Sequence, residues 1–199
     1  MVAWIIVVEW LSRLILLTLI GLSVWSIAII IEKRKLMKSL ETEDSENRLA
    51  PSLGKKDREF LKEFISSHVG VKAETLRLCH DLHSPEDMDR AVGAYLNRKK
   101  KELEKGLPVL GTLGSTTPFI GLLGTILGII VAFGALSAGK IDSQKIMYAL
   151  AEALTLTAVG LAVAIPAVVA FNNFNRRLNQ TLKECENLKD QYIAYLAGR

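Results

Sequence analysis

Charge is missing from three long stretches of this chain, and that absence limits its fold more than any motif does. Leu14 to Ile31 is 18 residues without an ionisable side chain, and Pro108 to Gly139 is 32. A third stretch, Ile146 to Asn175, holds one, Glu152. A helix of about 20 apolar residues spans a hydrocarbon core of roughly 30 Å. Lipid offers no partner for exposed backbone polar groups, so a helix is the element such runs must form.

The charges are concentrated elsewhere. Residues 32–107 carry 17 Lys or Arg and 15 Asp or Glu. The whole chain is 50% hydrophobic with a net charge of +4, which excludes a disordered polymer. Basic and acidic residues number 25 and 21, too close to mark a nucleic-acid binder. Two cysteines, Cys79 and Cys185, cannot make a disulfide-rich scaffold.

The basic residues set an expected topology. Lys33, Arg34, Lys35 and Lys38 follow the first run, which is the wrong side for a cleaved signal peptide. Arg98, Lys99, Lys100, Lys101 and Lys105 precede the second run, and Arg176 and Arg177 follow the third. The positive-inside rule places these on the cytoplasmic side and the N-terminus outside. The expected order is an interfacial periplasmic segment 1–10, with Trp4 and Trp10, and a first span 11–31. A cytoplasmic helical domain 32–107, a second span 108–136 and a periplasmic loop 137–145 follow. A third span 146–175 and a cytoplasmic helical tail 176–199 complete an all-α multi-pass membrane protein.

Within the loop, 41–56 reads as a polar linker broken by Pro51 and Gly54, and Phe60, Leu61 and Phe64 have helical spacing. Ser84-Pro85-Glu86-Asp87 is a helix start, with an N-cap oxygen, proline at the first position and acids at the positive dipole end. No strong breaker precedes Gly106-Leu107-Pro108, which predicts a rod running on into the second span, bent at Pro108. From Ser143 to Leu196 a second rod would be about 80 Å long. Its apolar tail positions, Leu178, Leu182, Leu188, Tyr192 and Tyr195, need partners, for which neighbouring subunits are the expected supply. Cys79, His80 and His83 lack further ligands at metal spacing and read as solvated loop residues rather than a metal site.

The second span carries a stripe of small residues: Gly111, Gly114, Pro118, Gly121, Thr125, Gly128, Ala132 and Ala135 recur by three and four. Such a stripe permits close helix packing in a membrane, or lines a narrow passage; both demand a partner helix. Glu152 is the one acid in the third span, about 9 Å from its outer end. Thr125 lies at about 15 Å on the second span, so the two can share a layer. A membrane carboxylate costs about 2.5–3.5 kcal/mol and usually marks a pathway. Its plainer role is an interfacial residue that snorkels or pairs with Lys145.

Two long motifs carry a resemblance. LGTLGSTTPFIGLLGTILGI, beginning at Leu110, and AEALTLTAVGLAVAIPAVVAFN, Ala151 to Asn172, resemble the second and third membrane helices of the ExbB/TolQ family, to which the flagellar MotA is a distant relative. The resemblance implies a homopentamer in the bacterial inner membrane with helices 2 and 3 extended into the cytoplasm. It also implies an ExbD/TolR-like single-span partner dimer in the central channel, a TonB/TolA-like periplasm-spanning protein, and work driven by proton flow. By motif, Glu152, Thr125 and Thr157 take the ion-pathway positions. The family's proton-carrying aspartate sits on the partner and is absent here. The family often has Ala-Pro-Gly-Ile-Ala-Glu before the third span, where this chain has Met147-Tyr-Ala-Leu-Ala-Glu152. No nucleophile–base pair, metal set or phosphate loop marks an enzyme, and no cofactor is expected. The alternative from a different class is a non-conducting membrane scaffold that stabilises a partner.

Overall fold

A computed structural model of the chain describes residues 2–42, 58–67, 70–137 and 143–197. All regular structure in them is helical: α1 (Val2–Thr42), α2 (Arg58–Ser67), α3 (Val71–Asp81), α4 (Pro85–Glu104), α5 (Leu107–Ser137) and α6 (Ser143–Ala197). The expected linker beyond Thr42 and most of the connection 137–145 lie outside the described residues, as do the side chains of Ala135 and Lys145. The chain divides into two units, Met1–Glu32 with Gly106–Asn172, and Lys33–Lys105 with Asn173–Arg199.

The first unit holds the apolar parts of α1, α5 and α6. Each of these three helices is long and apolar enough to cross a membrane, with mean hydropathy of 2.7, 2.0 and 2.3 in its most apolar window. Their outward faces carry large apolar side chains in the open, among them Trp10, Phe119, Phe133 and Leu154, each at least 66% exposed. Every exposed large hydrophobic residue among those described falls between Val7 and Val169, outside the second unit. Water would drive such surface inward, whereas lipid is its natural solvent.

The inward faces of α5 and α6 meet along the glycine stripe. A Cβ on Gly121 would lie 2.8 Å from the Leu156 carbonyl oxygen and 3.0 Å from Thr157 Cα. One on Gly128 would lie 2.5 Å from Ala153 Cβ, and one on Gly160, from the other helix, 2.7 Å from the Thr117 carbonyl oxygen. Gly114 and Gly124 are closed off in the same way by Val168 and Leu156. The stripe is therefore seated against the chain's own third apolar helix, with Gly121 and Gly160 meeting backbone directly and Gly114, Gly124 and Gly128 meeting the side chains of Val168, Leu156 and Ala153. Ile15 and Leu19 of α1 pack on this pair with Leu156, beside Ile120, Leu127 and Val159.

The second unit is a water-type fold with its own core. Phe64 of α2, Leu76 and Cys79 of α3, and Met88 and Val92 of α4 close around Cys185, Leu188 and Tyr192 of α6. Leu182, Leu188 and Tyr192 thus find their partners in the chain's own loop helices, a correction to the expectation that other subunits supply them. Ion pairs follow the same seam: Lys72 holds Glu184 at 2.9 Å, and Lys189 bonds Asp89 while lying 3.3 Å from Asp190. The bond from Lys189 holds the Asp89 carboxyl below its usual range, and that bond raises the lysine in turn. The aspartate's contribution is lost only as pH falls through its lowered pKa, and the lysine's only as pH rises through its raised one, so the pair is charged throughout the neutral range.

Three local expectations are corrected. Cys79 is not a solvated loop residue; it lies within α3, fully buried, and burial pushes its thiol up to about 11. Ser84 stands at the N-cap of α4 with Pro85 after it, but its side chain makes no capping bond; its carbonyl accepts from Met88 N at 3.0 Å instead. The rod through Pro108 is two helices. Lys105 leaves the helical conformation and Gly106 takes φ 87°, a left-handed turn that glycine adopts without strain. Pro108 then occupies the first turn of α5, where its missing N–H costs nothing.

Two stability predictions follow from this packing. Leu76→Ala opens a cavity in the second unit and costs about 2–5 kcal/mol, whereas Leu76→Met costs under about 1.5 kcal/mol. Gly121→Ala forces backbone apart and costs about 1–3 kcal/mol, while Gly21→Ala, with nothing within 4 Å, is neutral or stabilising. Unfolding midpoints of the detergent-solubilised full chain check both.

Candidate ion-path site in the membrane unit

The close approach of α5 and α6 brings two side-chain hydroxyls together in an otherwise apolar seam. Thr125 Oγ1 and Thr157 Oγ1 share a hydrogen bond across the two helices. Thr125 Oγ1 is also 3.2 Å from the Ala153 carbonyl oxygen and 3.3 Å from that of Gly121. Thr157 Oγ1 is 3.2 Å from the same Gly121 carbonyl. These are helix carbonyls that accept from outside their own ladder, and glycine at 121 is what lets α6 come near enough to reach them.

Each hydroxyl has one proton and two lone pairs, so this cluster has two complete bonding patterns. In one, Thr157 donates to Gly121 O and Thr125 donates to Thr157. In the other, Thr125 donates to Ala153 O and Thr157 donates to Thr125. The two patterns differ only in the direction in which the hydroxyl protons point. A pair of this kind passes a proton along without moving a heavy atom far, and it also suits the transient coordination of a small cation.

Glu152 precedes Ala153, so its backbone lies level with this cluster, but its side chain stands on the exposed side of α6. Thr155 is exposed as well and bonds back to the Ala151 carbonyl at 2.9 Å. The geometry therefore brings Thr125 and Thr157 together and leaves Glu152 outside their hydrogen-bonded cluster. Of the small stripe, Gly114, Gly121 and Gly128 are enclosed by α6, a Cβ on Gly111 would lie 3.4 Å from the Phe171 ring, and Pro118 is half-buried within α5. Residues 147–151 are helical without interruption, as expected of a segment that lacks the helix-breaking Pro-Gly of the family pattern.

Sequence reasoning missed two members of the seam. Gly124 fits between Gly121 and Gly128 at helical spacing, and that spacing was the available signal. Thr117 is fully buried and bonds the Leu113 carbonyl at 2.7 Å, lending its own carbonyl to the Gly160 contact. Among the described residues no three His, Cys, Asp or Glu side chains converge. His80 and His83 are exposed while Cys79 faces the core.

Residues 55–187 match the model of the MotA/TolQ/ExbB proton channel family. The chain is similar to the Tol-Pal system protein TolQ of Haemophilus influenzae, 42% identical over 108 residues, 54% of this chain and 47% of that protein. It is 39% identical over 112 residues to the biopolymer transport protein ExbB of Xanthomonas campestris pv. campestris, covering 55% and 44%. Against the ExbB of Aquifex aeolicus it is 41% identical over 88 residues, covering 44% and 60%. The chain spans about half the length of the first of these relatives. With the match running through loop, second span and third span, this three-span membrane chain belongs to the MotA/TolQ/ExbB proton channel family.

Proposed function

We propose that the chain is the channel-forming subunit of a proton-driven motor in the bacterial inner membrane. Thr125 and Thr157 carry the ion past the α5–α6 seam, and Glu152 serves as the exchangeable carboxylate at the same level. The observation that carries this reading is the two-way hydroxyl pair, placed in a membrane helix seam and bonded to the carbonyl of Ala153, the residue after the only acid in that span. A hydrogen bond between helices also helps to hold a membrane seam together, so the flux of the threonine variants is what separates a path from a packing contact.

The orientation we propose puts the N-terminus in the periplasm and the second unit in the cytoplasm, on the strength of Lys33, Arg34 and Lys35 after the first span and Lys100, Lys101 and Lys105 before the second. The exposed side of α6, with Glu152, Thr155, Ala158 and Ala162, has no occupant among the described residues and is rich in small residues. It is the face for other helices: neighbouring copies in a homopentamer and an ExbD/TolR-like single-span dimer at its centre. A TonB/TolA-like protein receives the work. The glycine stripe, being filled by α6, lines this path from behind rather than facing the channel.

The test is proton flux into vesicles holding the full chain with its single-span partner. Glu152→Gln and Thr157→Ala each reduce flux by roughly tenfold or more with assembly unchanged. Flux equal to wild type in both variants would take Glu152 and Thr157 out of the path, and a wild-type complex that passes no protons would mean a non-conducting scaffold.

A further inference from the structure

We propose that the second unit carries a docking surface for anionic phospholipid headgroups, built from the residues that follow the first span and precede the second. Lys33 is 3% exposed, and its ammonium donates to the Leu103 carbonyl at 3.1 Å. That carbonyl lies in the last turn of α4, where unpaired carbonyls and the negative dipole end favour a cation. The bond joins two segments 70 residues apart. It thereby gathers the basic run after the first span and the basic run before the second into one place.

The charge gathered there is one-sided. Residues 32–35 and 98–105 contain eight cations and three carboxylates, Glu32, Glu102 and Glu104. Glu102 is taken by Lys99 at 2.7 Å and Glu104 by Lys100 at 3.8 Å. Arg34, Lys35, Lys101 and Lys105 are all exposed, and among the described residues none of them is held by a hydrogen bond or ion pair. Chain connectivity fixes their depth. Lys33 follows the apolar run that ends at Ile31 by two residues, and Lys105 precedes the start of α5 by two. That is the level of the phosphate groups of a bilayer, and each cation near an anionic leaflet adds to its attraction. Four exposed cations without a partner among the described residues, within a few residues of the ends of apolar spans, fit an anionic lipid headgroup by charge and by depth.

Native mass spectrometry of the detergent-solubilised full chain, titrated with phosphatidylglycerol and with phosphatidylcholine, tests this. The expected result is a roughly tenfold preference for phosphatidylglycerol that weakens as salt rises and disappears in the Arg34→Gln, Lys35→Gln, Lys101→Gln, Lys105→Gln variant. A second variant, Glu102→Gln with Glu104→Gln, raises the local positive charge and strengthens the preference. If the first variant does not accumulate, the second and the salt series decide. Equal retention of both lipids by the wild-type chain overturns the proposal. So does an unchanged preference in whichever variants fold, and so does displacement of lipid by an equal concentration of inorganic phosphate, which would point to a pocket for free anions.

Discussion

Everything specific to the membrane unit depends on how closely α5 and α6 approach. In lipid there is no hydrophobic drive between helices, so van der Waals contact and hydrogen bonds must hold them together. Gly121 and Gly160 let backbone meet backbone, and Gly114, Gly124 and Gly128 make room for the side chains of Val168, Leu156 and Ala153. That approach has a second consequence. It lets Thr125 and Thr157 reach across to one another and to carbonyls that are otherwise spent on their own helices. The same glycines that supply packing also create the polar link within it.

The second constraint is solvent. Apolar side chains that face outward are confined to the first unit, while the loop and tail bury theirs around Leu76, Met88 and Leu188. One continuous helix, α6, takes part in both environments, changing composition near Asn172 to Asn175 from apolar all round to amphipathic. Its polar half is held by α2, α3 and α4 through apolar contact first, with Lys72–Glu184 and Lys189–Asp89 along the edge. The loop and the tail, which look like separate pieces in the sequence, are one folding unit. The family match reflects this by extending from residue 55 to 187 rather than stopping at the spans.

The three spans were legible because charge depletion over 18 or more residues has few physical causes. The helix start at Ser84-Pro85 was legible because proline and cap residues act locally. What could not be read were effects set by partners far away in sequence. Gly106 with Pro108 two residues on is a helix-stop signal, but a bend and a full break share it, and only the positive φ at Gly106 decides for the break. Cys79 looks like a loop thiol until α3, α4 and the tail close over it. The small stripe announces a close neighbour but not its identity, which turned out to be α6 of the same chain. Glu152 was legible as an unusual residue, and its exposed placement explains why a single chain gives it no partner among the described residues.

The central claim is that the Thr125 and Thr157 hydroxyls act as one relay, and a double-mutant cycle on proton flux measures that directly. Thr125→Val and Thr157→Val remove the hydroxyls while keeping their volume, so the seam stays packed. A shared relay predicts that either change alone lowers flux nearly as far as both together, giving a coupling on the order of 1 kcal/mol or more. Losses that simply add, or no loss in the double variant, would contradict it and reduce the hydroxyl pair to a packing contact.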